Sequence, residues 1–166
     1  MKSTAAEGKT GRFLIIGYGS PLRGDDALGQ VAAAALAQRF HADDRVDVLA
    51  VHQLTLDLAE RLGSYDQVIL IDAGDGVPPG TLFDRRVLPG EQLPQPFSHY
   101  LAPEELLGIA GALYDAAPTT WLVGLGAARF DHGLALSSPV TAALPRLLQW
   151  VTDHVAAAFH ASAGVD

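Results

Sequence analysis

Two sets of acids and a few histidines are the residues of this chain whose types and spacing could do chemistry. Asp25 and Asp26 close the glycine-rich stretch GYGSPLRGDD (17–26), and Asp72 ends the apolar run VILIDA (68–73). Two carboxylates that converge make either a hard-oxygen cation site or an acid–base pair. A carboxylate that closes a buried strand must be solvated, paired or metal-bound. Structural uses stand beside these: Asp25 or Asp26 capping the helix that follows, and Asp72 bonding the backbone of the GDG turn after it.

The chain has six histidines. His41, His154 and His160 fall at helix ends or on the outer part of the last helix, where water solvates them. His52 follows a strand, where it can bond the backbone or serve a site. His132 stands in RFDHG beside Asp131, as turn residues do. His99 lies in the longest irregular segment, PGEQLPQPFSHYLA (89–102), which holds three of the ten prolines. A long loop inside a compact domain is often a functional one. Asp26, Asp72 and His99 together offer two oxygens and one nitrogen, a set that suits a borderline divalent ion such as nickel or zinc better than magnesium.

The glycine turn itself does not read as a phosphate cradle. A nucleotide loop ends in Gly-Lys-Ser/Thr, which is missing, and the dinucleotide fingerprint needs a third glycine where Leu22 stands. Asp25 and Asp26 would also repel the anion.

The elements that must position these residues alternate along the chain. Residues 12–17 (RFLIIG) form a central strand, and residues 26–40 form a helix with Leu28, Val31, Ala35 and Leu36 on one face. Residues 46–51 make a second strand, and Thr55 caps a short helix through Leu62. QVILIDA (67–73) is a strand buried on both faces, and TLFDRRVL (81–88) alternates as a more exposed strand would. A helix spans Pro103–Tyr114, with Pro at its first position and Glu104 and Glu105 against the dipole. TTWLVGLG (119–126) is a further buried strand, and Ser138-Pro139 opens a long last helix striped by Val140, Leu144, Leu147, Leu148, Val151 and Val155.

This alternation gives an α/β domain, doubly wound around a mostly parallel sheet. Strands one and three should be neighbours, with strand two outside strand one. Their carboxyl ends then form the topological switch point where ligands bind, and Asp26 and Asp72 emerge there together. One domain is expected over 12–160, with residues 1–11 and 161–166 as loose tails. At 166 residues and 49% hydrophobic content the chain fills one core and not two.

With no cysteine, disulfides, thiolate zinc sites and cysteine nucleophiles are excluded. The formal net charge of -8 and the lack of a basic block argue against nucleic acid. No apolar run reaches membrane-span length, and MKSTAAEGKT (1–10) is too polar for a signal peptide, so a cytoplasmic protein is expected. A monomer is expected as well, since no long apolar stripe is left over once helices cover the sheet.

At these residues the sequence resembles the [NiFe]-hydrogenase maturation endopeptidases. That family opens on Gly-x-Gly-Asn-x-Leu-x-x-Asp-Asp/Glu-x-x-Gly, and here Gly17 to Gly29 read GYGSPLRGDDALG. HQLTLDLAERLGSYDQVILIDA (52–73), FSHYLAPEELL (97–107) and LALSSPVTAALPRLL (134–148) resemble its later blocks, in order and at similar spacing. The turn's usual Asn is Ser20 here, Ala135 replaces a frequent Gly, and Asp26 stands where some members have Glu.

The resemblance implies a three-layer α/β/α sandwich around a twisted sheet of about five strands. It implies an endopeptidase that clips a C-terminal extension from a hydrogenase large-subunit precursor after nickel insertion. Asp26, Asp72 and His99 match the family's nickel contacts, so the nickel would arrive with the precursor and no permanent cofactor is expected. Asp26 or Asp72 would assist as base. Gly17, Gly19, Ser20 and Asp25 would support the turn, Asp25 as a helix cap or behind the metal contacts. Two rival readings are a metallohydrolase holding its own zinc at these residues, and a non-catalytic nickel-sensing or chaperone module.

Overall fold

The computed structural model describes residues 11–91, 100–133 and 135–164. Among these residues five strands form one sheet: β1 (Phe13–Tyr18), β2 (Val46–Val51), β3 (Gln67–Gly74), β4 (Leu82–Val87) and β5 (Thr119–Gly126). Their order is β2-β1-β3-β5-β4. All neighbours are parallel except β4, which runs antiparallel to β5 at the edge. Four α-helices accompany them: α1 (Leu28–Arg39), α2 (Asp57–Leu62), α3 (Pro103–Tyr114) and α4 (Ser138–Ala163). A single 3-10 turn, Gly24–Ala27, leads into α1.

Successive side chains of β1 point to opposite faces and so found two cores. Leu14 and Ile16 pack with α2 and α3, whereas Phe13 and Ile15 pack with α1 and α4. β3 follows suit, with Val68 and Leu70 on one side and Ile69 and Ile71 on the other. A strand covered on both faces needs an unbroken apolar run, which is why VILI carries no alternation. Edge strand β4 exposes Asp84, Arg85 and Arg86, charges that discourage a further strand from pairing there.

α1 departs from the sequence reading. Its buried face is Leu28, Gly29, Ala32, Ala33 and Leu36, and Val31 is exposed. Close packing selects small residues here: a Cβ on Gly17 would lie 1.8 Å from the Gly29 carbonyl oxygen, and one on Gly29 would lie 2.3 Å from that of Tyr18. The helix therefore starts in backbone contact with the end of β1.

Two further expectations are corrected. Thr55 gives α2 its backbone carbonyl, 3.1 Å from the Leu58 nitrogen, and α2 has no side-chain cap. The last helix continues through Ala163, past the loose tail expected from 161, because Phe159 still packs edge-on against Phe13 with centroids 5.4 Å apart. Among the described residues no helix is long and apolar enough to cross a membrane.

Candidate functional site

The carboxyl ends of β1 and β3 open into a cavity of about 630 Å³. Asp26 and Asp72 both line it, with Tyr18, Gly19, Ser20, Arg23, His52 and Tyr100 among the other described lining residues. β1 leads to β2 on one side and β3 leads toward β4 on the other, so this is the topological switch point.

Asp26 reaches the cavity through the turn after β1. Its Oδ2 accepts a hydrogen bond from the Ser20 backbone N–H at 2.8 Å. Oδ1 has no hydrogen-bond partner among the described residues. Gly19 makes this geometry possible. Its φ is +137°, and a Cβ there would sit 1.9 Å from the Asp26 carbonyl oxygen. Gln30 Nε2 then fastens the turn to the Gly19 carbonyl at 2.8 Å. Ser20 contributes mainly its backbone; its Oγ accepts only a long 3.4 Å contact from the Leu22 N–H.

Asp72 emerges from the end of β3. Its Oδ1 accepts from the Ala73 N–H at 2.8 Å, so it bonds the next residue and not the GDG turn. Burial pushes its carboxyl up to about 6; the Ala73 bond opposes this, the charge of Asp26 adds to it, and a bond from the Tyr18 hydroxyl opposes it again. Tyr18 is itself held far above the ordinary phenol range, first by burial and then by Asp72, so its hydroxyl stays protonated and donates.

Asp25 does different work from its neighbour. It is fully buried and caps no helix. Its oxygens accept from Ser137 N and Ser137 Oγ at 2.7 Å each, from Ala128 N at 2.8 Å and from Arg129 N at 3.3 Å. Burial alone would raise its carboxyl, but these donors, Ser137 foremost, hold it below the usual carboxylate range. Asp25 thus ties the turn that carries Asp26 to the connection between β5 and α4.

The third expected ligand, His99, lies outside the described residues. Among the described residues no three His, Asp or Glu side chains stand close enough to hold a metal ion. Asp26 and Asp72 come together; His41, His132, His154 and His160 line no part of the cavity. His52 does line it, exposed just past β2, with its carbonyl accepting from Gly19 N at 3.1 Å. The sequence suggested His52 only as one of two options, and it did not suggest Tyr18 or Arg23. The available signal was position: Tyr18 ends β1, His52 follows β2, and both strands deliver their ends to one edge.

No family model matches the chain. A curated relative, the hydrogenase 2 maturation protease of Escherichia coli (strain K12), is 31% identical over 104 residues, covering 61% of each chain. The chain therefore spans less than two thirds of that relative. Among solved structures, the hydrogenase maturating endopeptidase HybD from E. coli aligns with 84% of this chain and 89% of its own, at 28% identity and a TM-score of 0.65. A [NiFe] hydrogenase maturation protease, HycI from Thermococcus kodakarensis KOD1, aligns with 90% and 94% at a TM-score of 0.69 and 22% identity, and shares the fold. The chain resembles the hydrogenase maturation proteases in both sequence and fold. This is the family whose motifs Gly17–Gly29 and Asp72 resemble. Its shared α/β architecture accounts for the five-stranded, mostly parallel sheet found here.

Proposed function

We propose that the protein is a cytoplasmic endopeptidase that removes the C-terminal extension of a [NiFe]-hydrogenase large-subunit precursor once nickel has been inserted. The observation that carries this reading is the meeting of Asp26 and Asp72 in one switch-point cavity, in a chain similar to hydrogenase maturation proteases.

In this account the nickel is part of the substrate. Asp26 Oδ1 and the Asp72 carboxylate offer it oxygens, each side chain being oriented by one backbone N–H. His99 supplies the nitrogen by its match to the family's histidine block. Two carboxylates and one imidazole leave coordination positions open on a borderline divalent ion, and the precursor that carries it fills the rest. Gripping the ion draws the precursor's tail into the cavity and fixes the peptide bond to be cut at high effective concentration. Water then attacks the carbonyl carbon and passes a proton to Asp26 or Asp72. The carbon–nitrogen bond breaks and the leaving amine takes the proton back. Tyr18 steadies Asp72 throughout. The protein works as a monomer, since helices cover both faces of its sheet.

The test is intact-mass analysis of a large-subunit precursor from the same organism. Wild-type protein should release a C-terminal peptide. Asp26→Ala should slow release by about a hundredfold or more while melting within a few degrees of wild type, since the Ser20 N–H it exposes faces the cavity and water. Equal cleavage by Asp26→Ala would remove the site from the account.

A further inference from the structure

Arg23 stands at the rim of the same cavity with no part in the chemistry described so far. Its backbone is fixed on both sides. Arg23 N donates to the Ser20 carbonyl, the Arg23 carbonyl accepts from Asp26 N at 3.1 Å, and the residue bridges to Gly133. The side chain is exposed but anchored, with Nε donating to the Phe130 carbonyl at 3.3 Å. That bond sets the plane of the guanidinium. Among the described residues neither terminal nitrogen has a hydrogen-bond or ion-pair partner. Asp26, only three positions away, spends Oδ2 on Ser20 instead.

An oriented guanidinium with unused donors seeks an oxygen acceptor. The charge of the site decides which kind. Asp26 and Asp72 repel an incoming carboxylate, whereas a neutral peptide carbonyl meets no such opposition and still gains a charge-assisted bond. Leu22, next to Arg23 and 55% exposed, offers apolar surface to the same approaching chain.

We propose that Arg23 is a substrate-binding residue that holds a main-chain carbonyl of the protein substrate at the rim, beside the peptide bond to be cut. This rests on the endopeptidase reading above. The contact lies away from the reacting carbon, so it acts on the bound substrate and on the transition state alike and shows in KM.

The experiment measures initial cleavage rates of the nickel-loaded precursor by wild type, Arg23→Ala, Arg23→Gln and Arg23→Lys. Loss of one charge-assisted bond should raise KM for Ala and Gln by roughly tenfold to a hundredfold, with kcat within about twofold. Lys keeps the charge but loses the Phe130 anchor, so its KM should fall between wild type and Ala. Thermal melts report whether the turn is intact, and Lys and Gln carry the test if Ala unfolds. An unchanged KM in all three variants overturns the assignment while leaving the endopeptidase in place. A fall in kcat at constant KM also overturns it, by moving Arg23 to the reacting carbonyl. A wild type that cleaves no precursor overturns the endopeptidase reading and this assignment with it.

Discussion

Asp26 and Asp72 are each held by one backbone N–H, yet their environments differ. The Asp72 carboxyl is buried against Tyr18 and raised to about 6. A carboxyl raised on folding favours the folded state while protonated. That contribution is complete below its unfolded value of 3.8 and is lost as pH rises through about 6. Asp72→Asn removes the ionisation while keeping an acceptor for Tyr18. With chelator present, it should stabilise the protein at pH 8 by about 1–3 kcal/mol, and the gain should shrink toward pH 4. Urea unfolding at both pH values checks this, and a gain independent of pH would contradict it. The same substitution removes a proposed ligand and base, so a firmer fold should accompany lost cleavage. At this scale the sequence singled out Asp26 and Asp72 as candidates, because an acid closing a buried strand must be solvated, paired or metal-bound, and both acids line one cavity. It did not show Arg23, since whether an arginine on a turn faces a cavity depends on a backbone path that no periodicity encodes.

Asp25 joins elements rather than serving the cavity. The turn before α1 and the connection from β5 to α4 are more than a hundred positions apart in sequence, and this one carboxylate receives four hydrogen bonds from the second. Asp25→Ala would strand Ala128, Arg129 and Ser137 N–H groups, of which Ser137 is buried. It should cost at least about 3 kcal/mol at pH 7, read as a lower urea midpoint. Asp25's carboxyl is held below the usual range, so its stabilisation is present above the unfolded value of 3.8 and disappears as pH falls through the folded one. The variant's deficit should therefore narrow in acid. A variant as stable as wild type at pH 7 would mean that water replaces the carboxylate at no loss. The sequence placed Asp25 in the turn as a cap or as a group behind the metal contacts; it caps no helix, and its donors lie too far along the chain for local pattern to reach. The α1 face was misread for a related reason. Leu and Val dominate a hydrophobic stripe, but the Gly17–Gly29 contact selects for smallness and turns Val31 outward.

Across the whole molecule, the order β2-β1-β3, the exposure of β4 and the bounds of α3 and β5 were legible, since each rests on apolar patterning, one helix-opening proline or the rule that crossovers are right-handed, whereas the places of β5 and β4 in the sheet were not. That topology brings the ends of β1 and β3 to one edge, and the Gly19 turn then sets Asp26 and Asp72, 46 positions apart in sequence, on one cavity. What the fold cannot specify alone is the ion. The protein's net charge of -8 and two cavity carboxylates favour a cation in general, and the proposed selectivity comes from a precursor that arrives with nickel already in it. The most direct measurement is therefore the intact mass of one large-subunit precursor, prepared with and without nickel, after incubation with the wild-type protein. The account predicts loss of a C-terminal peptide from the nickel-loaded form and an unchanged mass for the nickel-free form. Equal cleavage of both forms would contradict nickel recognition, and cleavage of neither would contradict the endopeptidase itself.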